Sequence, residues 1–262
     1  MKALNESNTK SLLGKFRILL FILLVGAACI GLCYSAEDEF EKSSIISDSR
    51  ILHYSVNPKN ADLQFYWKSK SDQRFKNAKG LKNHLDSLGK TLKFCMNGGM
   101  FSPKHAPAGL YIENSKKLKE INRVENAVGN FHLVPNGVFI IQKDKRCRVV
   151  QTPDYKESED INFATQSGPM LLIDGDYHPK FNKGSKNLNI RNGVGVLPDG
   201  KVLFAMSTER INFYDFATFF KNNGCKNALY LDGAISRTYL PEKNVEQLGG
   251  NFGVLIGEST KK

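Results

Sequence analysis

The sequence has few of the residues that mark disulfide-rich, metal-binding or serine-hydrolase proteins. Its 262 residues include five cysteines, none in CxxC or Cys/His spacing, which argues against a zinc site and a disulfide framework. Neither a fixed-period repeat nor a GxSxG motif is present. Cys95, Cys147 and Cys225 lie beyond the N-terminal segment, and we expect each to be a small core residue, although one pair in an oxidising compartment is an alternative.

The single long apolar run lies at the N-terminus, at 18–33. Lys10, Lys15 and Arg17 precede it and an acidic segment follows, which is the order of a secretory signal peptide. The run is shorter than the ~20 residues of a typical membrane span. We therefore predict that residues 1–36 are a signal peptide cleaved after Ser35, or else an N-terminal anchor, and that the protein is exported, either periplasmic or secreted.

The formal net charge of +11 favours anionic partners. The lysines are scattered, however, and no nucleic-acid-binding motif or platform of stacked aromatic residues accompanies them. We expect a solvated cationic surface and no nucleic-acid partner. A membrane contact is expected only through an uncleaved N-terminal segment.

After a polar linker at 37–50, residues 51–262 are long enough for one globular domain. Alternating apolar and polar residues predict strands, beginning with an antiparallel pair at 50–58 and 61–69. Helical spacing of apolar residues predicts helices at 75–88 and 212–224, and Gly-containing or polar turns predict several hairpins between them. The expected fold is α+β, a single domain with curved, mainly antiparallel sheets and a few flanking helices.

Four polar, Gly-containing clusters each occur beside an apolar strand: MNGGMF, TQSGPM, IRNGVGV and YLDGAISR. Any one of them is more often a tight turn than a site. Four in one domain, each offering Asn, Gln-Ser, Arg-Asn or Asp side chains, favour a shared polar pocket.

The ordered series MNGGMF, PNGVFII, ATQSGPMLLIDG, RNGVGV, FYDFATFF and CKNALYLDGAISRTY resembles the phosphodiester glycosidase family, and in particular its exported bacterial branch. This family includes the lysosomal enzyme that removes N-acetylglucosamine from a mannose phosphate. The resemblance spans roughly 50–257 and implies an exported hydrolase acting on a sugar phosphodiester. Many members carry a run such as DGGGS where this chain has Asp232 to Ser236, and Arg191 is followed here by Asn192, so both differences bear on substrate identity.

Glycosidic cleavage passes through a state like an oxocarbenium ion and commonly uses two carboxyl groups. A phosphodiester leaves as a stabilised anion, so one carboxylate and one cationic group are sufficient. Asp232 follows the apolar run ALYL, which predicts a partly buried carboxylate acting as general base or stabilising the sugar cation. Arg191 precedes what is expected to be a Gly-containing turn and is predicted to bind phosphate through two nitrogens. From sequence alone, an ordinary Asp-Gly turn and a surface ion pair are the competing interpretations of these two residues.

Further side chains and backbone amides are expected to orient the sugar or the phosphate. The predicted substrate-binding residues are Asn97, Gly98, Gly99, Asn136, Gln166, Ser167, Gly168, Asn192, Gly233 and, in the loop SPKHAPAG, His105. Asp215 and Glu209 are candidates for a second carboxylate, although helix-start acids are commonly solvated. We predict no metal site and no cofactor.

The predicted function is hydrolysis of the glycosidic bond of a sugar-1-phosphodiester, or a related phosphorylated glycan, to free sugar and a phosphomonoester. The main alternative is an exported binding protein without catalytic activity for phosphorylated glycans or envelope polyanions. A third interpretation is cleavage of the P–O bond, which would release sugar phosphate instead.

Overall fold

The computed structural model describes residues 44–125, 127–232 and 235–262. Ile46–Lys262 forms a compact unit, which contains every described helix and strand. The predicted signal peptide or anchor at 1–36 lies outside the described residues. Within the described part, no helix is both long and apolar enough to cross a membrane.

The compact unit contains two α-helices, two short 3-10 helices and sixteen strands. The helices are α1 (Ala78–Ser87) and α2 (Phe213–Asn222), and the 3-10 turns are Asn130–His132 and Pro241–Lys243. The strands are β1 (Ile51–Val56), β2 (Asp62–Tyr66), β3 (Lys90–Asn97), β4 (Tyr111–Glu113), β5 (Lys116–Lys119), β6 (Gly137–Gln142), β7 (Cys147–Gln151), β8 (Ile161–Ser167), β9 (Met170–Ile173), β10 (Asp176–Tyr177), β11 (Asn192–Val196), β12 (Val202–Ser207), β13 (Ala228–Tyr230), β14 (Thr238–Leu240), β15 (Val245–Glu246) and β16 (Leu255–Lys261).

These strands form three sheets, in which every described pairing is antiparallel. Sheet I has the order β1-β12-β11-β13-β9-β10, sheet II the order β15-β14-β3-β16-β2, and sheet III the order β5-β4-β8-β6-β7. The predicted α+β class with mainly antiparallel sheets is therefore confirmed.

One apolar core lies where the three sheets meet. Phe204 of sheet I contacts Phe94 of sheet II at a ring distance of 4.9 Å and Phe139 of sheet III at 6.1 Å. Phe65 and Phe163 complete this aromatic centre, and all five rings are buried. Burying an aromatic side chain of this size contributes about 2–3 kcal/mol. The core therefore fixes the strand ends of all three sheets relative to one another.

Both helices begin at asparagine caps and cover the outer faces of the sheets. The Asn77 side chain accepts from the Gly80 N–H, and Asn212 does the same for Asp215 at the start of α2. The helix predicted at 75–88 begins three residues later than expected, because Lys76 has φ +66° and Asn77 provides the cap. Helix α2 packs on sheet I.

Local turn chemistry determines the hairpins. Asn114-Ser115 and Asp174-Gly175 all have positive φ, as a two-residue turn between twisted strands requires. The predicted hairpins β4–β5, β6–β7, β9–β10 and β11–β12 are all formed.

The predicted pairing of the first two strands is wrong. Strand β1 pairs with β12 in sheet I, whereas β2 pairs with β16 in sheet II. Residues 57–61 form a turn in which the Asn57 side chain accepts from the Lys59 N–H, and this turn carries the chain from one sheet to the other. Both strands lie at the edge of a sheet, and the strand that pairs with each of them lies far along the chain.

Candidate active site

The polar clusters converge where the ends of sheets I, II and III meet. The Ser167 hydroxyl, at the end of β8, donates to the Leu231 carbonyl just after β13, at 2.5 Å. The Asn192 amide, at the start of β11, donates to the Asn97 carbonyl at the end of β3, at 2.8 Å. Each of the four clusters thus contributes to one hydrogen-bonded region, which agrees with a shared polar site.

Asn192 is the centre of this network and is fully buried. Its Nδ2 donates to the Asn97 carbonyl at 2.8 Å and to Asn97 Oδ1 at 3.2 Å. Its Oδ1 accepts from the Asp232 N–H at 2.9 Å and from the Ser236 hydroxyl at 3.2 Å. Because these bonds occupy both ends of the amide, Asn192 positions the loop that carries Asp232 and has no free group for a substrate.

Asp232 follows β13 and is half-buried. Its carbonyl accepts from the Ser236 hydroxyl at 2.6 Å and from Asn97 Nδ2 at 3.3 Å, so the backbone on both sides of the carboxyl group is fixed. Burial raises the pKa of Asp232 to about 7. A carboxyl group with this pKa is partly ionised at neutral pH, which suits proton transfer.

Arg191 directly precedes β11 and is fully buried. Its Nε donates to the Ile211 carbonyl and its Nη2 to the Asn187 carbonyl, both at 2.8 Å. Its guanidinium carbon lies 3.5 Å from the centre of the Phe213 ring. Nη1 has no hydrogen-bond partner, so this nitrogen is available to a ligand, whereas Nε and Nη2 already donate to carbonyls. Binding of phosphate through two nitrogens stays a prediction.

The glycines after Arg191 belong to strand β11 and not to a turn, contrary to the prediction. A Cβ on Gly195 would lie 2.8 Å from both Cys225 Sγ and the Phe220 ring, and one on Gly193 would lie 2.8 Å from the Leu229 carbonyl. The glycines therefore allow α2 and β13 to approach β11 closely.

Tyr230 lies beside Arg191, whose guanidinium carbon is 5.6 Å from its ring centre, and sequence reasoning missed it. Burial raises the pKa of Tyr230 to about 12; Arg191 opposes this rise and Asp232 adds to it. The Tyr230 ring packs edge-on against Phe213, at 4.8 Å. A hydrophobic strand position gives no sequence signal for this role.

Gln166 lies apart from the Asn192 network. Its Oε1 accepts from the N–H groups of Leu110 and Asn122, at 3.0 and 2.8 Å. Its Nε2 donates to the Asn122 carbonyl at 2.7 Å and to the Thr152 hydroxyl at 3.0 Å. All four positions of the amide are used within the protein, so Gln166 ties loops together in this structure.

The backbone amides of the predicted substrate-binding glycines are only partly available. Gly98 N–H donates to the Val254 carbonyl at 2.9 Å, so this donor is not free and that part of the prediction is wrong. A Cβ on Gly168 would lie 2.5 Å from the Cβ of Asn136, whose own Nδ2 donates to the Phe131 carbonyl at 2.8 Å. Asn136 and Gly168 therefore pack tightly against each other.

The remaining predicted site residues are Gly99, His105 and Gly233. Gly99 has extended backbone at φ +159°, and a Cβ there would lie 2.7 Å from Thr165 Oγ1. The His105 ring stacks on Phe101 at 5.2 Å, and its carbonyl accepts from Trp67 Nε1 at 3.0 Å. Gly233 lies outside the described residues.

Neither predicted alternative carboxylate bonds to the Asn192 network in the described structure. The Asp215 carboxylate accepts from Asn212 Nδ2 at 3.1 Å and lies 3.8 Å from Arg50. Glu209 is exposed. In the described ranges, no group of three or more His, Cys, Asp or Glu side chains has the arrangement of a metal site.

His178 is buried beside this region. Its ring stacks on Phe181 at 4.8 Å, and Phe181 stacks on Phe213 at the same distance. Burial lowers the pKa of His178 to about 4, so the ring is neutral. The stack supports the Phe213 ring on which Arg191 rests.

Comparison with known proteins identifies the family. The family model described as phosphodiester glycosidase matches residues 90–252, and the chain belongs to this family. The uncharacterized protein YigE of Escherichia coli (strain K12) is 37% identical over 188 residues, covering 71% of this chain and 73% of that protein.

Two solved structures share the fold. One is the zebrafish N-acetylglucosamine-1-phosphodiester alpha-N-acetylglucosaminidase catalytic domain auto-inhibited by its pro-peptide, with a TM-score of 0.54, 15% identity, and coverage of 82% of this chain and 84% of that one. The other is a protein from Burkholderia pseudomallei K96243, with a TM-score of 0.52, 10% identity and coverage of 79% and 73%.

Proposed function

We propose that this protein is an exported hydrolase that cleaves the glycosidic bond of a sugar-1-phosphodiester and releases free sugar and a phosphomonoester. Membership of the phosphodiester glycosidase family supports the reaction class. The observation that carries the proposal for this chain is Asp232, a carboxyl group with a pKa raised to about 7 and a backbone held by Asn97, Asn192 and Ser236.

In the proposed reaction, ionised Asp232 takes a proton from water as the water oxygen forms a bond to the anomeric carbon. The bond between this carbon and the phosphate oxygen breaks, and the phosphomonoester leaves with the electron pair. Asp232 then returns the proton to solvent. Stabilising the sugar cation is the alternative role, and it too requires the ionised carboxylate.

Arg191 supplies a buried positive charge on the segment directly before β11. No described carboxylate forms a salt bridge with it, and Nη1 has no partner. A buried cation without a counter-ion favours an anion beside it. Its two carbonyl bonds and the Phe213 ring hold the guanidinium in one orientation, so its role is that of a fixed charge.

Hydrolysis in water enriched in the oxygen-18 isotope tests the reaction class. The proposal predicts label in the released sugar and none in the phosphomonoester, because the C–O bond breaks. Label in phosphate would instead establish P–O cleavage, and saturable binding without any product would establish the binding-protein alternative. Asp232→Asn should abolish turnover, with Asp176→Asn as the control, since Asp176 is 94% exposed on β10.

Export is tested by the mass of the mature protein. Cleavage after Ser35 predicts an N-terminus at Ala36. An intact full-length mass in purified membranes would support the anchor, and a full-length protein recovered from the cytoplasm would contradict export.

A further inference from the structure

A cavity of about 560 Å³ is lined in part by Ile235, Ser236 and Arg237, which follow Asp232 closely in sequence. Pockets of this size are typical of sites for small organic molecules. Ser236 and Arg237 form part of its wall, and the Ser236 hydroxyl donates to the Asp232 carbonyl at 2.6 Å. The cavity wall is therefore hydrogen-bonded to the backbone of Asp232 through Ser236.

One side of the cavity is apolar. It is formed where the ends of β1 and β12 in sheet I face β15 and the 250–252 segment next to sheet II. The apolar lining residues are Leu52, Ile190, Met206, Ile235, Val245 and Phe252. Ile235 is 43% exposed, so its side chain is accessible to a molecule in the cavity.

The other side offers hydrogen-bond donors and a cation. The Arg237 side chain is exposed, and its backbone N–H donates to Asn97 Oδ1 at 3.0 Å. Oε1 of Gln247 accepts from the Thr238 N–H and Oδ1 of Asn251 accepts from Arg74, so the amide nitrogens of both remain as donors.

Among the described residues that line the cavity there is no Asp or Glu, and Arg237 is the charged one. Donors and a guanidinium without a carboxylate form an environment for an anion such as phosphate. Arg191, by contrast, is buried and has only one free nitrogen. Arg237 is therefore the more accessible of these two arginines.

We propose that this cavity binds the phosphate of the substrate together with the alcohol esterified to it, and that its apolar wall selects an alcohol with hydrocarbon character. Arg237 binds the phosphate, and the apolar side chains contact the alcohol. This inference rests on the proposed function and adds a substrate class to it: sugar-1-phosphodiesters of alkyl or similarly apolar alcohols.

Binding of product-like phosphomonoesters tests the cavity without requiring turnover. Isothermal titration calorimetry of the full-length protein compares methyl phosphate with hexyl phosphate. Each buried methylene is worth about fourfold in affinity, so partial burial of the longer chain predicts hexyl phosphate binding at least about tenfold tighter. Equal affinities would overturn the apolar part of the proposal.

Arg237→Gln should weaken both ligands by about tenfold, which is the effect of losing a charged hydrogen bond, and Arg237→Lys should recover part of the loss. Arg148→Gln is the matched control, because Arg148 is exposed on β7 in sheet III, and we expect it to bind as the native protein does. Unchanged binding by Arg237→Gln would overturn the role of this residue.

Val245→Trp provides a second variant, since it fills the apolar side from a short edge strand. It should remove the preference for hexyl phosphate and leave methyl phosphate unaffected. A preference that persists in a folded Val245→Trp protein, as judged by thermal melting, would contradict the assignment of the apolar wall.

Hydrolysis of the methyl and hexyl esters of one sugar 1-phosphate separates this inference from the proposed function. If both esters are hydrolysed at equal kcat/KM, and Arg237→Gln has the same kcat/KM as the native protein, the cavity inference is contradicted but the proposed function is supported. If hexyl phosphate binds but neither ester is hydrolysed, the proposed function is contradicted but the assignment of the cavity is supported.

Discussion

Replacing Asp232 by asparagine should stabilise the folded protein above neutral pH while abolishing hydrolysis. Burial raises the pKa of Asp232 from 3.8 to about 7, so the folded state favours the neutral carboxyl group. Asparagine has nearly the same shape and is neutral at every pH. The substitution thus removes the cost of holding a charge at this position.

The magnitude follows from proton linkage. A shift of about 3 pKa units corresponds to about 4 kcal/mol, at ~1.4 kcal/mol per unit. Because the side chain is half-buried and water reaches part of it, we expect about 2 kcal/mol. Since the folded-state pKa is raised, the folded protein binds more protons than the unfolded chain between about pH 4 and pH 7, and native stability falls across this window as pH rises.

Urea unfolding at about pH 4 and pH 8 measures the effect. The free energies of unfolding of native protein and Asp232→Asn should be similar at the lower pH, and the variant should be more stable by about 2 kcal/mol at the higher pH. Asp176→Asn, at an exposed position, should change stability by less than about 1 kcal/mol at both. A variant less stable than native at pH 8, or a difference that does not depend on pH, would refute the reasoning.

Three further substitutions test the packing around the site by chemical denaturation. Asn192→Ala leaves several buried groups without partners and should lower the free energy of unfolding by about 2–4 kcal/mol; a loss below about 1 kcal/mol would contradict its central place in the network. Gly195→Ala should cost about 1–3 kcal/mol because its Cβ would overlap the Cys225 thiol, whereas Gly249→Ala, in open space, should be close to neutral; equal effects would refute the packing argument. Arg191→Lys loses the fixed guanidinium bonds and should cost about 2–3 kcal/mol, and a stable, fully active lysine variant would contradict the role of the planar group.

Local features of the fold were predictable because their signals are local. Asn77 and Asn212 begin the helices, and Asn114-Ser115 forms a hairpin turn, through interactions within a few residues. The pairing of β1 with β12 was not predictable, since its partner lies about 150 residues away and an alternating pattern fits many neighbours.

In the candidate site, too, local features were predictable from the sequence and contacts between distant segments were not. That polar strand ends converge was predictable from four clusters in one domain, and the position of Asp232 after a buried strand follows from its apolar run. The Gln166 amide has its hydrogen bonds filled by distant segments such as Asn122. The buried Arg191 likewise bonds to a distant residue, Ile211. Sequence alone gave no means to distinguish a side chain that binds substrate from one that binds another loop.

The pH dependence of hydrolysis tests the account most directly. For a sugar-1-phosphodiester substrate, kcat/KM measured from about pH 5 to pH 9 should rise with a midpoint near 7, because the working form of Asp232 is the carboxylate. Free sugar should be the product, and Asp232→Asn should remain inactive throughout. A rate that falls as pH rises through 7, or an Asp232→Asn variant that retains native activity, would contradict the assignment of Asp232.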